Sequence, residues 1–164
     1  MTCLFELSIA LLITLLNGFF VMAEYSLVRI RKSRLDELIR QGKSRANTVL
    51  KMSEKLDTYL SATQLGITAS SLLLGWFGGP LLAEMFRGMF GISAGTWYDH
   101  SLVFTCAFLI IVFLHVVFGE LVPRTIALGK VEQVAMAVAY PLVFFHYLLY
   151  PLVVLFNRIS HAVL

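Results

Sequence analysis

Glu120 closes a long apolar run, in the stretch Phe118-Gly119-Glu120-Leu121-Val122-Pro123-Arg124-Thr125. A carboxylate at the edge of hydrocarbon is costly, and it marks an ion path or a binding site more often than packing. Pro123 has no N–H, so in a continuing helix the carbonyl of Gly119, four residues back, has no backbone donor. A carboxylate beside a free carbonyl has the chemistry of a hard-cation ligand set.

Further polar residues recur at helical spacing. Thr14, Asn17, Val21 and Glu24 share one face of the first apolar run, and Gly18 lets a neighbouring backbone approach beside Asn17. Glu24 is a second carboxylate near the membrane edge; it is either a site residue or a partner for Arg29 or Arg31. Ser61, Gln64, Thr68, Ser71 and Gly75 form a small polar stripe, which reads either as a helix-packing seam or as the lining of a site. His115 precedes Gly119 by four residues and shares its face, as a hydrogen-bonded packing residue or a ligand, while Glu120 falls on another face. The ligand types on offer are carboxylate, amide, hydroxyl and backbone carbonyl. That all-oxygen set suits magnesium, calcium or sodium, and argues against zinc or copper. No nucleophile elbow, zinc-protease motif or phosphate-cradling loop is present, so the expectation is that the chain is not an enzyme. Cys3 and Cys106 fit no ligand spacing; Cys106 reads as packing.

The elements that must position these residues are membrane helices. With 59% hydrophobic and 14% charged residues and a mean hydropathy of +0.82, the chain is far more apolar than a soluble domain. The first spanning run covers about 4–28, retained rather than cleaved as a signal peptide; the second covers about 57–82, and the third about 102–121. Nine of the thirteen basic residues fall within 29–56, between apolar runs. This is the pattern of a positive-inside segment rather than of a nucleic-acid site, so 29–56 should be cytoplasmic. Leu35, Leu38, Ile39, Val49 and Leu50 are spaced for amphipathic helices broken at Gly42, lying on the membrane surface. Trp97-Tyr98 suits an interfacial belt on the far side. Residues 131–156 contain Pro141 and Pro151, and are either a kinked fourth span or short oblique helices at the inner leaflet.

Three blocks resemble the transmembrane domain of the bacterial CorC/CNNM family. They are Leu16-Asn17-Gly18-Phe19-Phe20-Val21-Met22-Ala23-Glu24-Tyr25-Ser26-Leu27, Gln64-Leu65-Gly66-Ile67-Thr68, and Phe118 to Thr125. The last is the most specific, because the family has a Gly-Glu-hydrophobic-hydrophobic-Pro step at the end of its third span. The resemblance covers nearly all of 1–164. It implies an all-α integral membrane domain of three spans, with short belt helices over about 131–160 and a cytoplasmic C-terminus. It implies a homodimer in the lipid bilayer of the cell (inner) membrane, followed in full-length members by cytoplasmic CBS domains that this chain lacks. It also implies magnesium export coupled to sodium entry, with Mg2+ as the bound and transported ion and Na+ as a competitor.

The family glutamate falls on Glu120. The family's Ser-Gly step in the first span has no hydroxyl counterpart at Val21-Met22, which leaves Asn17 or a backbone carbonyl to replace it. The Gly-Asn-Asn segment of many members is Gly66-Ile67-Thr68-Ala69-Ser70-Ser71 here, which leaves Thr68 or Ser71 to supply the oxygen. The expected cation set is therefore Glu120, Gly119, Asn17, Thr68 and Ser71. The alternative expectation is a membrane anchor and dimerisation module with no transport of its own.

Overall fold

In a computed structural model the chain is all-helical among the described residues, which are 2–90 and 97–163. Helix α1 (Thr2–Arg29) leads into the basic pair α2 (Lys32–Arg40) and α3 (Ser44–Glu54). The long α4 (Leu56–Phe90) and α5 (Trp97–Leu114) follow. A π-helical segment, His115–Leu121, joins α5 to α6 (Val122–Gly129), and α7 (Val131–Val163) ends the chain. Side chains over 82–104, including Trp97-Tyr98, lie outside the described residues.

Gly42 ends α2 at φ 80°, which L side chains rarely adopt. Its N–H bonds to the Ile39 carbonyl and that of Lys43 to the Leu38 carbonyl, the paired closure of a Schellman motif. The resulting turn lets α2 bury Leu35 and Leu38, and α3 bury Ala46, Val49 and Met52, in one core. Phe20, Ala23 and Leu27 of α1 and Val134, Val138 and Leu142 of α7 complete that core. Arg34 clamps α2 to α7, with Nε donating to Glu132 Oε1 at 2.7 Å and the guanidinium also reaching Oε2 at 3.2 Å. At the other end of the bundle Ile13, Leu74 and Ile111 join α1, α4 and α5.

Among the described residues three helical stretches are long and apolar enough to cross a membrane: Leu7–Arg29, Thr105–Gly129 and Val131–Phe156. Helix α4, the expected second span, is longer than any of them, and its side chains from 82 onward lie outside the described residues. Its buried face is not the stripe singled out from the sequence. Ala62, Thr63, Gly66, Ser70, Leu74 and Gly78 are buried, whereas Gln64, Thr68 and Gly75 are exposed and Ser71 sits on the boundary. Two rows of small residues run along this helix, and the more apolar one turns inward. Cys106 likewise lies exposed rather than packed inside. Residues 131–160 run within one helix instead of several short ones. Pro141 and Pro151 lie inside this helix, both on its exposed face.

Large apolar side chains cover the outside of α1, α5, the π-helical segment and α7, among them Leu12, Phe113, Phe118, Phe144 and Tyr147. Exposed apolar surface on that scale would be a liability in water and is ordinary against lipid.

Candidate cation site

The site is built where α1 crosses the π-helical segment. Gly18 makes the crossing close: a Cβ there would meet Pro123 Cγ at 2.9 Å. Pro123 opens α6 in the first helical turn, where its missing N–H is tolerated. Upstream, the backbone is wound with one extra residue per turn, the Val122 N–H bonding to the Val117 carbonyl five residues back. Such segments are rare and recur at functional sites. The Gly119 carbonyl, which Pro123 cannot serve, accepts a hydrogen bond from Asn17 Nδ2 at 3.0 Å, and both residues are buried.

Two more side chains complete the cradle. His115 lies over Gly119, where a Cβ would sit 3.0 Å from His115 Nδ1 and 3.1 Å from Asn17 Nδ2. Any side chain larger than glycine's would fill this space. Ser71 on α4 contacts His115 Nε2 at 3.0 Å and donates to the Ile67 carbonyl at 2.9 Å. Asn17, Gly119, His115 and Ser71 thus bring α1, α4 and the π-helical segment to one place. Asn17 Oδ1 and His115 Nδ1 are buried acceptors with no donor against them.

A layer of acid lies beside this neutral cluster. Glu24 stands two turns along α1 from Asn17, with Oε2 buried and unpartnered, and is within electrostatic reach of Glu120. Glu120 itself is exposed at the mouth and also acts on His115. Among the described residues the ion pairs are those of Arg34 with Glu37 and Glu132, so Glu24 pairs with neither Arg29 nor Arg31. Arg124, the nearest cation in sequence to Glu120, stacks on the Tyr25 ring at 4.5 Å instead.

Of the residues singled out from the sequence, the structure puts Asn17 on Gly119 and links Ser71 to them through His115, with Glu120 exposed next to Gly119. Thr68 is exposed on the outer face of α4. His115 and Glu24 were both in view in the sequence, but neither was placed in the ligand set. The unpartnered atoms that promote them become visible only in three dimensions. On the opposite side of the cluster a cavity of about 200 Å³ separates α1, α4 and α5. Its walls are almost wholly apolar, with Thr14 and His115 as their polar points.

This site lies in a stretch matched by a known family. The family model described as the cyclin M transmembrane N-terminal domain matches residues 7–164. The chain belongs to the CNNM family. Its members are associated with membrane cation transport, and the matched domain is of transporter rather than enzyme type. The chain is similar to the UPF0053 proteins YugS and YhdP of Bacillus subtilis (strain 168). Identity to YugS is 41% over 143 residues, covering 87% of this chain and 33% of the relative. Identity to YhdP is 42% over 151 residues, covering 92% and 34%. An uncharacterized protein of Mycobacterium tuberculosis (strain ATCC 25618 / H37Rv) is 38% identical over 156 residues, covering 95% of this chain and 44% of the relative. The chain therefore spans about a third to under half of the length of these relatives.

Proposed function

We propose that this domain carries magnesium across the cell membrane, exporting it in exchange for sodium, through the cluster between α1, α4 and the π-helical segment. The observation that carries this reading is the imbalance of the site. Glu24, with Oε2 buried and unpartnered, lies within electrostatic reach of Glu120, and among the described residues neither carboxylate has an ion pair. Beside them lie acceptors that lack donors. A cation relieves the like-charge repulsion and satisfies the acceptors together.

Glu120 supplies the anionic ligand, and Gly119, Asn17 and Ser71 supply neutral oxygens. Thr68 is left out of this set because its side chain faces away. Magnesium gives up its water reluctantly, so a site with one first-line carboxylate and neutral oxygens holds it partly hydrated and releases it. Sodium competes for the same oxygens, which gives exchange a simple physical basis. The cavity on the far side is almost wholly apolar, with Thr14 and His115 as its polar points, so the polar approach runs from the Glu24 and Glu120 side. By the distribution of basic residues that is the cytoplasmic side.

The test is Glu120→Gln in the full-length protein reconstituted in liposomes. The substitution keeps size and polarity and removes the charge. Magnesium flux and magnesium-dependent thermal protection are expected to disappear while the protein still folds. Protection equal to wild type would overturn the assignment.

A second reading has one observation in its favour. The exposed face of α4 carries Gln64, Thr68 and Gly75 among lipid-facing residues, which suits close pairing with a second copy. A homodimeric anchor for cytoplasmic CBS domains would use that face without moving ions. Liposomes that hold folded dimer but pass no magnesium would favour it.

A further inference from the structure

The cavity on the far side of the cation cluster is a slot running along three helices. Leu7 to Thr14 of α1, Leu81 back to Leu74 of α4, and Ile111 to Phe118 of α5 and the π-helical segment line it. Each stretch advances about 10 Å. The slot has its origin in small residues. A Cβ on Gly78 would meet Ile111 Cδ1 at 2.7 Å, so α4 and α5 close against each other there. Ala10 lines the slot from α1, where a methyl group fills little of about 200 Å³. The deep wall at Leu74, Leu81 and Ile111 is buried, whereas the lips at Leu11 and Phe118 are exposed. Those lips are continuous with the apolar surface that α1 and the π-helical segment turn to lipid. Neither polar point offers the slot a proton. Thr14 Oγ1 donates to the Ala10 carbonyl at 2.9 Å, and His115 turns its nitrogens to Ser71 and Gly119. A buried water needs about two to four polar partners, so the slot stays dry.

We propose that this slot holds one acyl chain of a bilayer phospholipid. Its lining contains no Asp, Glu, Lys or Arg, so the headgroup stays at the interface and the tail alone enters. Hydrocarbon is what surrounds the lips at this depth, and it brings no polar group that the slot would leave unsatisfied. An empty slot leaves its lining atoms without contacts on one side, and a chain restores them. A helix of a second copy, about 10 Å across, is too wide to enter. The chain lies along the helices, and its end reaches the level of Thr14 and His115. There it closes the apolar packing behind the cation cluster. The inference holds whether or not that cluster moves ions.

The experiment places the protein, deuterated except at its isoleucine δ1 methyls, in nanodiscs of palmitoyl-oleoyl phosphatidylglycerol with protonated chains. Chain methylenes should give a nuclear Overhauser cross-peak to the Ile111 methyl, which lies on the deep wall and is 8% exposed. Ala10→Phe fills the slot and should remove that cross-peak. Leu12→Phe, on the outer surface, should leave it unchanged. Persistence in Ala10→Phe, or loss in both variants, would put the chain on the outer surface and overturn the proposal. So would a wild-type protein with no cross-peak from lipid to Ile111, or one in which mixed labelling shows protons of a second copy against it. Native mass spectrometry gives a reading that needs no variant. After transfer to detergent the folded wild-type protein should keep a bound phospholipid, and its complete loss at an intact fold would overturn the proposal.

Discussion

Asn17 does two things with one side chain. Its amide nitrogen holds the Gly119 carbonyl at 3.0 Å, and its amide oxygen remains open to the site. Asn17→Leu removes both at nearly constant volume. The carbonyl is then buried without its partner, at a cost of about 1–3 kcal/mol. The melting temperature without added cation should fall, and the rise on adding magnesium should vanish. Thr68→Val is the contrast: Thr68 is exposed, so its magnesium response should match wild type. A magnesium-induced rise that survives Asn17→Leu would remove Asn17 from the ligand set. The difference between these two residues marks what a sequence can show at this scale. Asn17, Thr68 and Ser71 all sit at plausible helical spacing, but spacing cannot say which of two adjacent small-residue rows turns inward. Glu120 stands out in the sequence because a carboxylate at the end of hydrocarbon needs a reason. The contact of His115 with Ser71, forty-four residues away, cannot be read from spacing.

At the scale of elements, the amphipathic pair α2 and α3 could be read from the spacing of Leu35, Leu38 and Val49, with Gly42 as the break. The π-helical segment could not. The sequence shows that Pro123 frees a carbonyl, but not that the chain responds by winding wider between His115 and Leu121. Pro123→Ala tests that link. Alanine supplies the missing N–H and also removes the ring that α1 packs against at Gly18. The new donor competes with Asn17 for the Gly119 carbonyl and favours an ordinary α-helical turn. Helix content should be unchanged. Magnesium-dependent protection should weaken by roughly tenfold in apparent affinity, since the ligands lose their arrangement without losing a member. Unchanged magnesium protection in Pro123→Ala would mean that the wide turn has no bearing on the site.

At the scale of the whole molecule, the question is which helices cross. Helix α7 meets the length and apolarity of a span, yet its contacts run along the basic side of the bundle. Glu132 is clamped by Arg34 of α2, and Tyr140 lies under Arg45 of α3 at 5.6 Å. His146 packs on Tyr59, in the first turn of α4, at 4.4 Å between ring centroids. Fourteen residues of α-helix advance about 21 Å. A helix standing upright in the bilayer would carry His146 well past the first turn of its neighbour. Instead His146 lies beside that first turn while the Phe145 ring meets those of Phe19 and Phe20 in α1 at 5.8 and 5.1 Å between centroids, so α7 runs across its neighbours, which fits an oblique helix at the inner leaflet. The two arrangements give opposite ends to the chain. With α1, α4 and the α5–α6 run crossing, the C-terminus lies on the same side as 29–56; with α7 crossing in addition, it lies on the other. Cysteine labelling separates them in a background with Cys3 and Cys106 replaced by serine. Ser44→Cys and Ser160→Cys should both resist a membrane-impermeant thiol reagent in intact cells and both react once the membrane is opened. Reaction of Ser160→Cys in intact cells, with Ser44→Cys still protected, would make α7 a fourth crossing.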